Sequence, residues 1–491
     1  MKKLLALSFL TLSSSLITIS NAQSYMLYGM TYEGGTSGNG IIFSLDPTTG
    51  KDSVRYNFTG GNDGGLPASN LVFNPGDNMF YGTTFYGGNS GFLGVLFKYN
   101  PITNAESYVH LYDGPTGNEP QYGSLTIYKN KIYSMTNSGG ALGYGVIYDY
   151  DLGTNAYNDL VDFDLTGNLP VTPSTPQGTH LTPYSNGLMY GMAYAGGKDS
   201  AGCIFSFNPL TNKDSILINF SVFGGGPAYP QEGTLTLNPH DNKLYGMTAL
   251  GGKRYLPNYE NGVIFRYDPI TNKDTVLVQF DTINGFGPTG SLTYDSVNSL
   301  FYGMTGYGGT NLDGVLFSYD PSTGKDTVLI NFDNATGIFP YGNVTLGPNG
   351  MLYGMTNNGG LYSYGTIFRY DPTTGKDTVL VNFDGTNGRQ PVSSLTLVDL
   401  NTITTRVNNI TKANSTTIYP NPFNKSTQIM FNENGKHFIE VDDVTGRKIA
   451  SAECNEKEYT LQRNELSDGI YFVKVYDGQM NLLSTQKIVV Q

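Results

Sequence analysis

A phrase built on Tyr-Gly-Met-Thr returns seven times along this chain, and that repetition restricts the fold more than any other feature. The copies begin at Tyr28, Tyr81, Tyr133, Tyr190, Tyr245, Tyr302 and Tyr353, at intervals of 53, 52, 57, 55, 57 and 51 residues. Two residues after each copy stands a Gly-Gly pair, as at Gly34-Gly35 and Gly359-Gly360. A period of this length is one supersecondary unit, which cannot bury its apolar face alone and must stack on its neighbours.

The unit from Thr234 to Phe280 reads as four strands. Thr234–Leu237 is a short first strand, and Asn238–Asn242 is a turn. Leu244–Thr248 is the second strand, followed by a Gly-rich loop from Gly251 to Gly262. Val263–Tyr267 alternates between two faces as a third strand, Asp268–Asn272 turns the chain, and Thr275–Phe280 is the fourth. The 63 Gly, 37 Tyr and 26 Phe suit many short strands joined by tight turns, and no stretch shows a helical period. Four antiparallel strands per unit predict an all-β chain whose body is a seven-bladed β-propeller.

The register of the ends predicts how this ring closes. The first copy, Tyr25–Thr31, has no first strand ahead of it, whereas Ser394–Val398 is a surplus first strand after the seventh unit. The two are expected to share one blade as a terminal-strand clasp. The glycine inside the second strand (Gly29, Gly82, Gly191, Gly246, Gly303, Gly354) is expected where a neighbouring sheet comes close.

Residues 1–22 read as a signal peptide, with Lys2 and Lys3 before an apolar run interrupted by Ser13–Ser15 and a small-residue cleavage site at Ser20-Asn21-Ala22. No later segment is apolar enough for a membrane-spanning helix, so none is expected in the mature chain. The propeller is expected over 23–400, a polar linker over 401–415, and a second small β-unit, sandwich-like, over 416–491. A formal net charge of −12 argues against nucleic acid as a partner. Cys203 and Cys454 are too few for a disulfide scaffold and are expected to be free or buried thiols.

Two resemblances follow from particular residues. Ile418-Tyr419-Pro420-Asn421-Pro422-Phe423, Thr445-Gly446-Arg447-Lys448 and Gly469-Ile470-Tyr471-Phe472-Val473 occur in order over the last 75 or so residues. This segment resembles the type A C-terminal sorting domain of the Bacteroidetes type IX secretion system. The resemblance implies handling by that machinery through 416–491, passage across both membranes, and secretion or cell-surface attachment. The repeats, with Leu352-Tyr353-Gly354-Met355-Thr356, Gly359-Gly360 and Gly365-Thr366-Ile367-Phe368-Arg369-Tyr370-Asp371-Pro372, resemble the choice-of-anchor tandem repeats of the Gloeobacter–Verrucomicrobia type. That family brings no catalytic residues to transfer.

Function is expected on the loops after strands two and four, which vary in length while the turns after strands one and three stay short. That face carries Tyr32, Tyr86, Tyr144, Tyr194, Tyr255, Tyr259, Tyr307, Tyr362 and Tyr364, which suit stacking on a glycan or anchoring a protein. The plainer alternative is that these rings pack the Gly-rich loops together. Asp-Ser/Thr-aliphatic triplets at Ser53, Ser215, Thr275, Thr327 and Thr378 resemble the O-glycosylation sequence of Bacteroidetes, or are turn aspartates leading into a strand. No metal-ligand spacing links His110, His180, His240 and His437, and no catalytic motif, metal or cofactor site is assigned. Gly285-Phe286-Gly287-Pro288-Thr289-Gly290 matches a dinucleotide fingerprint but opens no helix and is expected to be a turn. These features favour a non-enzymatic binding module. The second reading is a lyase or hydrolase for polysaccharide or peptide at the channel mouth, with His180 as base and Glu33, Glu119, Glu232 or Glu260 to assist; a structural adhesin is the third.

Overall fold

The computed structural model of the chain describes residues 25–88, 91–120, 125–163, 173–174, 179–231, 233–256, 259–402, 416–431, 434–443, 448–463, 466–478 and 482–491. The expected signal peptide, nearly all of the expected linker, and Glu232 lie outside the described residues. Two compact units divide the chain after Thr402. All regular structure among the described residues is strand, and no helix is long and apolar enough to cross a membrane.

Each copy of the repeated phrase is the second strand of its own antiparallel sheet, and the sheets follow one another in a propeller-like succession. The fifth is representative, with strands Thr236–Asn238, Lys243–Thr248, Val263–Asp268 and Lys273–Gln279 in that order. The first sheet takes its innermost strand from the far end of the repeats. Thr396–Asp399 pairs antiparallel with Tyr25–Thr31, placing Leu397 opposite Leu27, as the register of the ends predicts. The Gly285–Gly290 segment differs from expectation. Residues Phe286–Asp295 form a ten-residue strand, with Phe286 paired to Tyr307, because the fourth-to-first connection extends the neighbouring ladder rather than turning away from it.

The strand glycine has a different cause from the one expected. The ring that fills its place comes from the cross-strand partner in the same sheet: a Cβ on Gly29 would stand 2.5 Å from Cζ of Phe43, and one on Gly303 2.6 Å from Cζ of Phe317. In every sheet a β-bulge falls immediately before that aromatic residue, as between Ile42 and Phe43 or Ile367 and Phe368. The bulge lets the outer strand bend away while the ring stays flat over the glycine.

The flattened ring is then met edge-on by an aromatic residue at the end of the preceding sheet's fourth strand. Phe58 meets Phe97 at 5.2 Å, Phe163 meets Phe205 at 5.9 Å, Phe220 meets Phe265 at 5.5 Å and Phe280 meets Phe317 at 5.3 Å. Phe332 meets Phe368 at 5.0 Å, and Phe383 of the last sheet meets Phe43 of the first at 5.6 Å. The second-to-third seam uses Tyr112 and Tyr148, whose hydroxyls hydrogen-bond at 2.7 Å. All of these rings are buried. Edge-to-face pairs contribute about 0.5–1.5 kcal/mol beyond the area they bury.

A second series of contacts joins the innermost strands. The Thr236 hydroxyl donates to the Leu292 carbonyl of the next sheet at 2.6 Å, and Thr182 does the same to Leu235. Thr345 donates to Leu395 at 2.6 Å and Thr396 to Leu71 at 2.5 Å, so the last sheet is tied to the clasp strand and the clasp strand to the second sheet. The first and last sheets also share one hydrophobic cluster containing Leu27, Phe43, Met355 and Phe383.

The C-terminal unit has a separate core. Two antiparallel sheets, one of Thr417–Tyr419, Ser426–Met430 and Glu458–Gln462, the other of His437–Asp443, Lys448–Cys454, Gly469–Tyr476 and Leu482–Val490, enclose Ile429, Leu461, Val441, Val473 and Ile488. Cys203 is buried in the repeat unit, Cys454 is half-buried in the second unit, and both are free thiols.

Phe383→Ala and Phe332→Ala each remove one equivalent seam ring, so both should cost about 3–5 kcal/mol in urea unfolding. A far smaller cost at Phe383 would mean that the last sheet does not pack on the first. Gly303→Val forces Phe317 off the strand and should cost about 1–3 kcal/mol by overpacking. Pairing it with Phe317→Leu should recover part of that loss, read from the same urea midpoints.

Candidate functional site

The loops after strands two and four lie on one face because they are hydrogen-bonded to each other. The second glycine of the Gly-Gly pair donates its amide to the carbonyl of the preceding seam loop: Gly35 to Gly385, Gly88 to Gly61 and Gly140 to Gly114, each at 2.8 Å. Gly309 to Thr282 and Gly360 to Asn334 repeat the contact. The next amide is held by a side chain at the end of strand four. Asn57 accepts from Thr36, Asp162 from Ala141, Asn219 from Lys198, Gln279 from Lys253, Asn331 from Thr310 and Asn382 from Leu361, at 2.6–3.0 Å. Both features are legible only in retrospect. The recurring Asn-Phe pair at 57–58, 219–220, 331–332 and 382–383 combines the loop anchor with the seam ring, and its regular position was the available signal.

A second recurrent device lies where each seam loop enters the innermost strand. The residue before a proline adopts the left-handed conformation at Leu66 (φ 53°), Glu119 (52°), Tyr229 (50°), Phe339 (52°) and Gln390 (52°). A non-glycine residue stays there only where its surroundings determine it. Here the amide of each donates to the second-to-third loop of the preceding sheet: Leu66 to Asn39, Glu119 to Leu93, Tyr229 to Ala201, Phe339 to Asp313 and Gln390 to Tyr364. The carbonyls of Glu119, Tyr229 and Gln390 accept from Asn137, Ala249 and Tyr32 of their own sheets. These five half-buried side chains therefore stand beside the innermost strands on the loop face.

The tyrosines expected on this face divide into two groups. Tyr86, Tyr307, Tyr362 and Tyr364 are exposed. Tyr86 stacks on exposed Phe92 with centroids 5.0 Å apart, and Tyr307 lies between Phe286 and Phe339. The Arg389 guanidinium sits over Tyr364 at 5.7 Å while it pairs with Glu33 at 2.6 Å. Tyr32, Tyr144 and Tyr194 are half-buried; Tyr194 packs against Tyr229 at 5.2 Å, and Tyr144 against the hydrophobic cluster that contains Met135 and Phe205. Tyr255 and Tyr259 belong to a short ribbon in the fifth loop, and their side chains lie outside the described residues. Apolar tips that sequence reading passed over share the face: Phe223, Ile283 and Leu361 are 78%, 77% and 73% exposed, and Leu142, Leu250 and Leu312 are exposed beside them. Among the described residues, the opposite turns expose only Ile102, Leu210, Ile270 and Val297 as large apolar side chains.

The acid–base candidates that the structure describes each have their own surroundings. His180 stands on the innermost strand side of the fourth sheet, its Nδ1 buried without a partner, and burial pulls its pKa down to about 4. Glu33 is paired with Arg389, and Glu119 lies 3.4 Å from the Ser138 hydroxyl. The side chain of Glu260 lies outside the described residues. No group of three or more His, Cys, Asp or Glu forms a metal-binding cluster among the described residues. Ser53, Ser215, Thr275, Thr327 and Thr378 occupy one equivalent position on the outermost strands, where Ser215, Thr275 and Thr327 are exposed.

Known structures show the same fold at low identity. A putative 6-phosphogluconolactonase from Bacteroides fragilis is 17% identical, with a TM-score of 0.51 over 77% of this chain and 99% of its own. The periplasmic gluconolactonase PpgL of Pseudomonas aeruginosa is 15% identical, with a TM-score of 0.50 over 76% of this chain and 99% of its own. No curated protein matches the chain. The family model of the Gloeobacter/Verrucomicrobia repeat matches residues 11–181 and 175–419, and that of the secretion system C-terminal sorting domain matches 417–491. The sorting domain marks the chain for export through the type IX secretion system to the cell surface or the medium. The chain thus belongs to the Gloeobacter/Verrucomicrobia repeat family and carries a type IX sorting domain behind its repeats.

Proposed function

We propose that the repeats form one closed, seven-bladed β-propeller over residues 23–400, tethered through a linker at 401–415 to the sorting domain, and that this propeller is a non-enzymatic binding module. Its ligand is an extracellular glycan or protein taken up on the loop face. The observation that carries this reading is the gathering of exposed aromatic and aliphatic tips on that face, from Tyr86 and Phe92 through Phe223 to Leu361. Exposed apolar clusters on a rigid scaffold mark interaction surfaces. The main-chain bonds under the loops support it further, because tips held by backbone contacts can vary without loss of the scaffold. The outer-strand hydroxyls at Ser53, Ser215, Thr275, Thr327 and Thr378 are proposed as glycosylation sites, away from that face.

Glycan and protein arrays probed with the purified chain test the proposal. Specific binding is expected without turnover of the bound molecule. A variant carrying Phe92→Ser, Phe223→Ser, Tyr307→Ser and Leu361→Ser should lose at least about tenfold in affinity while its unfolding midpoint stays close to that of the parent. Unchanged binding by this variant would place the site elsewhere, and degradation of a bound polysaccharide or peptide would favour the enzyme.

A further inference from the structure

The seam between the first and second sheets contains two acids where equivalent seams pair an acid with an amide. At the start of the fourth strand, opposite Leu45, Tyr319 and Tyr99, stand Asp52, Asp326 and, in the second sheet, Glu106. At two seams an amide from the preceding loop donates to this carboxylate, Asn387 to Asp52 at 3.1 Å and Asn284 to Asp326 at 3.0 Å. At Glu106 the preceding loop supplies Asp63 instead, and the phenol of Tyr56 stands between them, 3.0 Å from Asp63 Oδ2 and 3.4 Å from Glu106 Oε2.

The donors available to these acids are unequal. Asp63 also accepts from the Thr59 amide at 2.7 Å and the Thr59 hydroxyl at 2.5 Å. Tyr56 has a single proton, and the shorter contact directs it to Asp63. Glu106 is left without a donor, and its Oε1 is buried with no partner. A half-buried carboxylate with no donor is costly, whereas a carboxylic acid supplies a donor of its own. We propose that Glu106 carries a proton in the folded protein and donates it to the Tyr56 oxygen, so that a one-way chain from Glu106 through Tyr56 to Asp63 latches the first seam and releases it as the solution turns alkaline.

Other charged groups on the surrounding elements do not supply the missing partner. The Arg55 Nε donates to Ser44 at 2.7 Å, and the His110 Nε2 lies 2.9 Å from the Thr116 hydroxyl. Burial first and the Asp63 charge second raise the Glu106 pKa from 4.5 to about 8, while the Tyr56 hydrogen bond acts weakly the other way. In the unfolded chain Glu106 is ionised above about 4.3. Its stabilisation is therefore full below that value, declines as the pH rises toward 8, and is lost above it.

The test is urea unfolding of the full chain at intervals from pH 6.8 to 8.0. Asp159, raised to about 6 by burial and neighbouring acids, has titrated below this window. Histidines in the unfolded chain, with pKa about 6.5, are mostly neutral there, and cysteines, half ionised only at about 8.5, are still mostly protonated at the upper end. Uptake of one proton by the folded state gives up to a tenfold rise in the unfolding constant per pH unit. Glu106→Gln should remove that slope. Asp63→Asn, which recreates the Asn387–Asp52 arrangement and keeps Glu106, should remove it as well and decides the matter if Glu106→Gln does not fold. A flat parent profile, or a slope that survives Asp63→Asn, overturns the proposal.

Discussion

The repeat unit depends on one interlock: an aromatic ring laid flat over a strand glycine and met edge-on by a ring from the sheet before. The glycine costs strand stability by itself. Its absence of a side chain lets the cross-strand ring lie within the sheet's thickness, which leaves the seam shallow enough for the next ring to enter. The third sheet shows the constraint by departing from it in concert. Ser134 stands for the glycine, Tyr148 for the flat ring and Tyr112 for the entering one. The buried Tyr112 and Tyr148 hydroxyls satisfy each other at 2.7 Å, and burial pushes the Tyr148 pKa up to about 12. Adding one hydroxyl alone would have left it unpaired in the core.

The interlock also explains why the bulge recurs at the same position in every sheet. With the ring held over the glycine, the fourth strand must shift register by one residue to continue its ladder, as it does between Leu316 and Phe317. The shift brings the strand's last residues, an amide and a ring, to the edge of the loop face. Asn331 then holds the loop of its own sheet while Phe332 fills the seam to the next. One dipeptide thus couples loop geometry to core packing, and the loop face inherits the rigidity of the seam beneath it.

The sequence made the repeat, the four strands and the clasp legible because each follows from local periodicity and from the count of strands at the ends. Tyr25–Thr31 is the strand that its pattern predicts. The cause of the glycine was not legible, since a missing side chain does not say which neighbour takes the space. Phe286–Asp295 was misread for a related reason: Gly287 and Pro288 punctuate a chain locally, but here the ladder partner at Tyr307 decides the conformation. The left-handed residues before proline escaped notice because Leu66, Tyr229 and Phe339 carry no sign of an unusual backbone; the hydrogen bonds of two loops impose it. Among the tyrosines, position along the loop separated neither exposed Tyr86 from half-buried Tyr194 nor a ligand surface from loop packing, because that depends on which ring stands opposite.

The division of the chain into two cores separates its address from its cargo. Ile429, Val441, Val473 and Ile488 build a core wholly within the C-terminal unit. The repeats are held by their own seam rings, inner-strand threonines and terminal pairing. Substitutions at loop tips such as Phe223 or Leu361 therefore touch neither the contacts that hold the repeats nor the core of the sorting domain. That independence lets the loop face change its apolar surface while the fold and the export signal stay the same. The acid pair at Asp63 and Glu106 belongs to a different category, since it sits in a seam, where a change in protonation acts on the contact between sheets. Variation in the loops thus changes the surface the repeats present, and variation in the seams the contacts that hold the scaffold together.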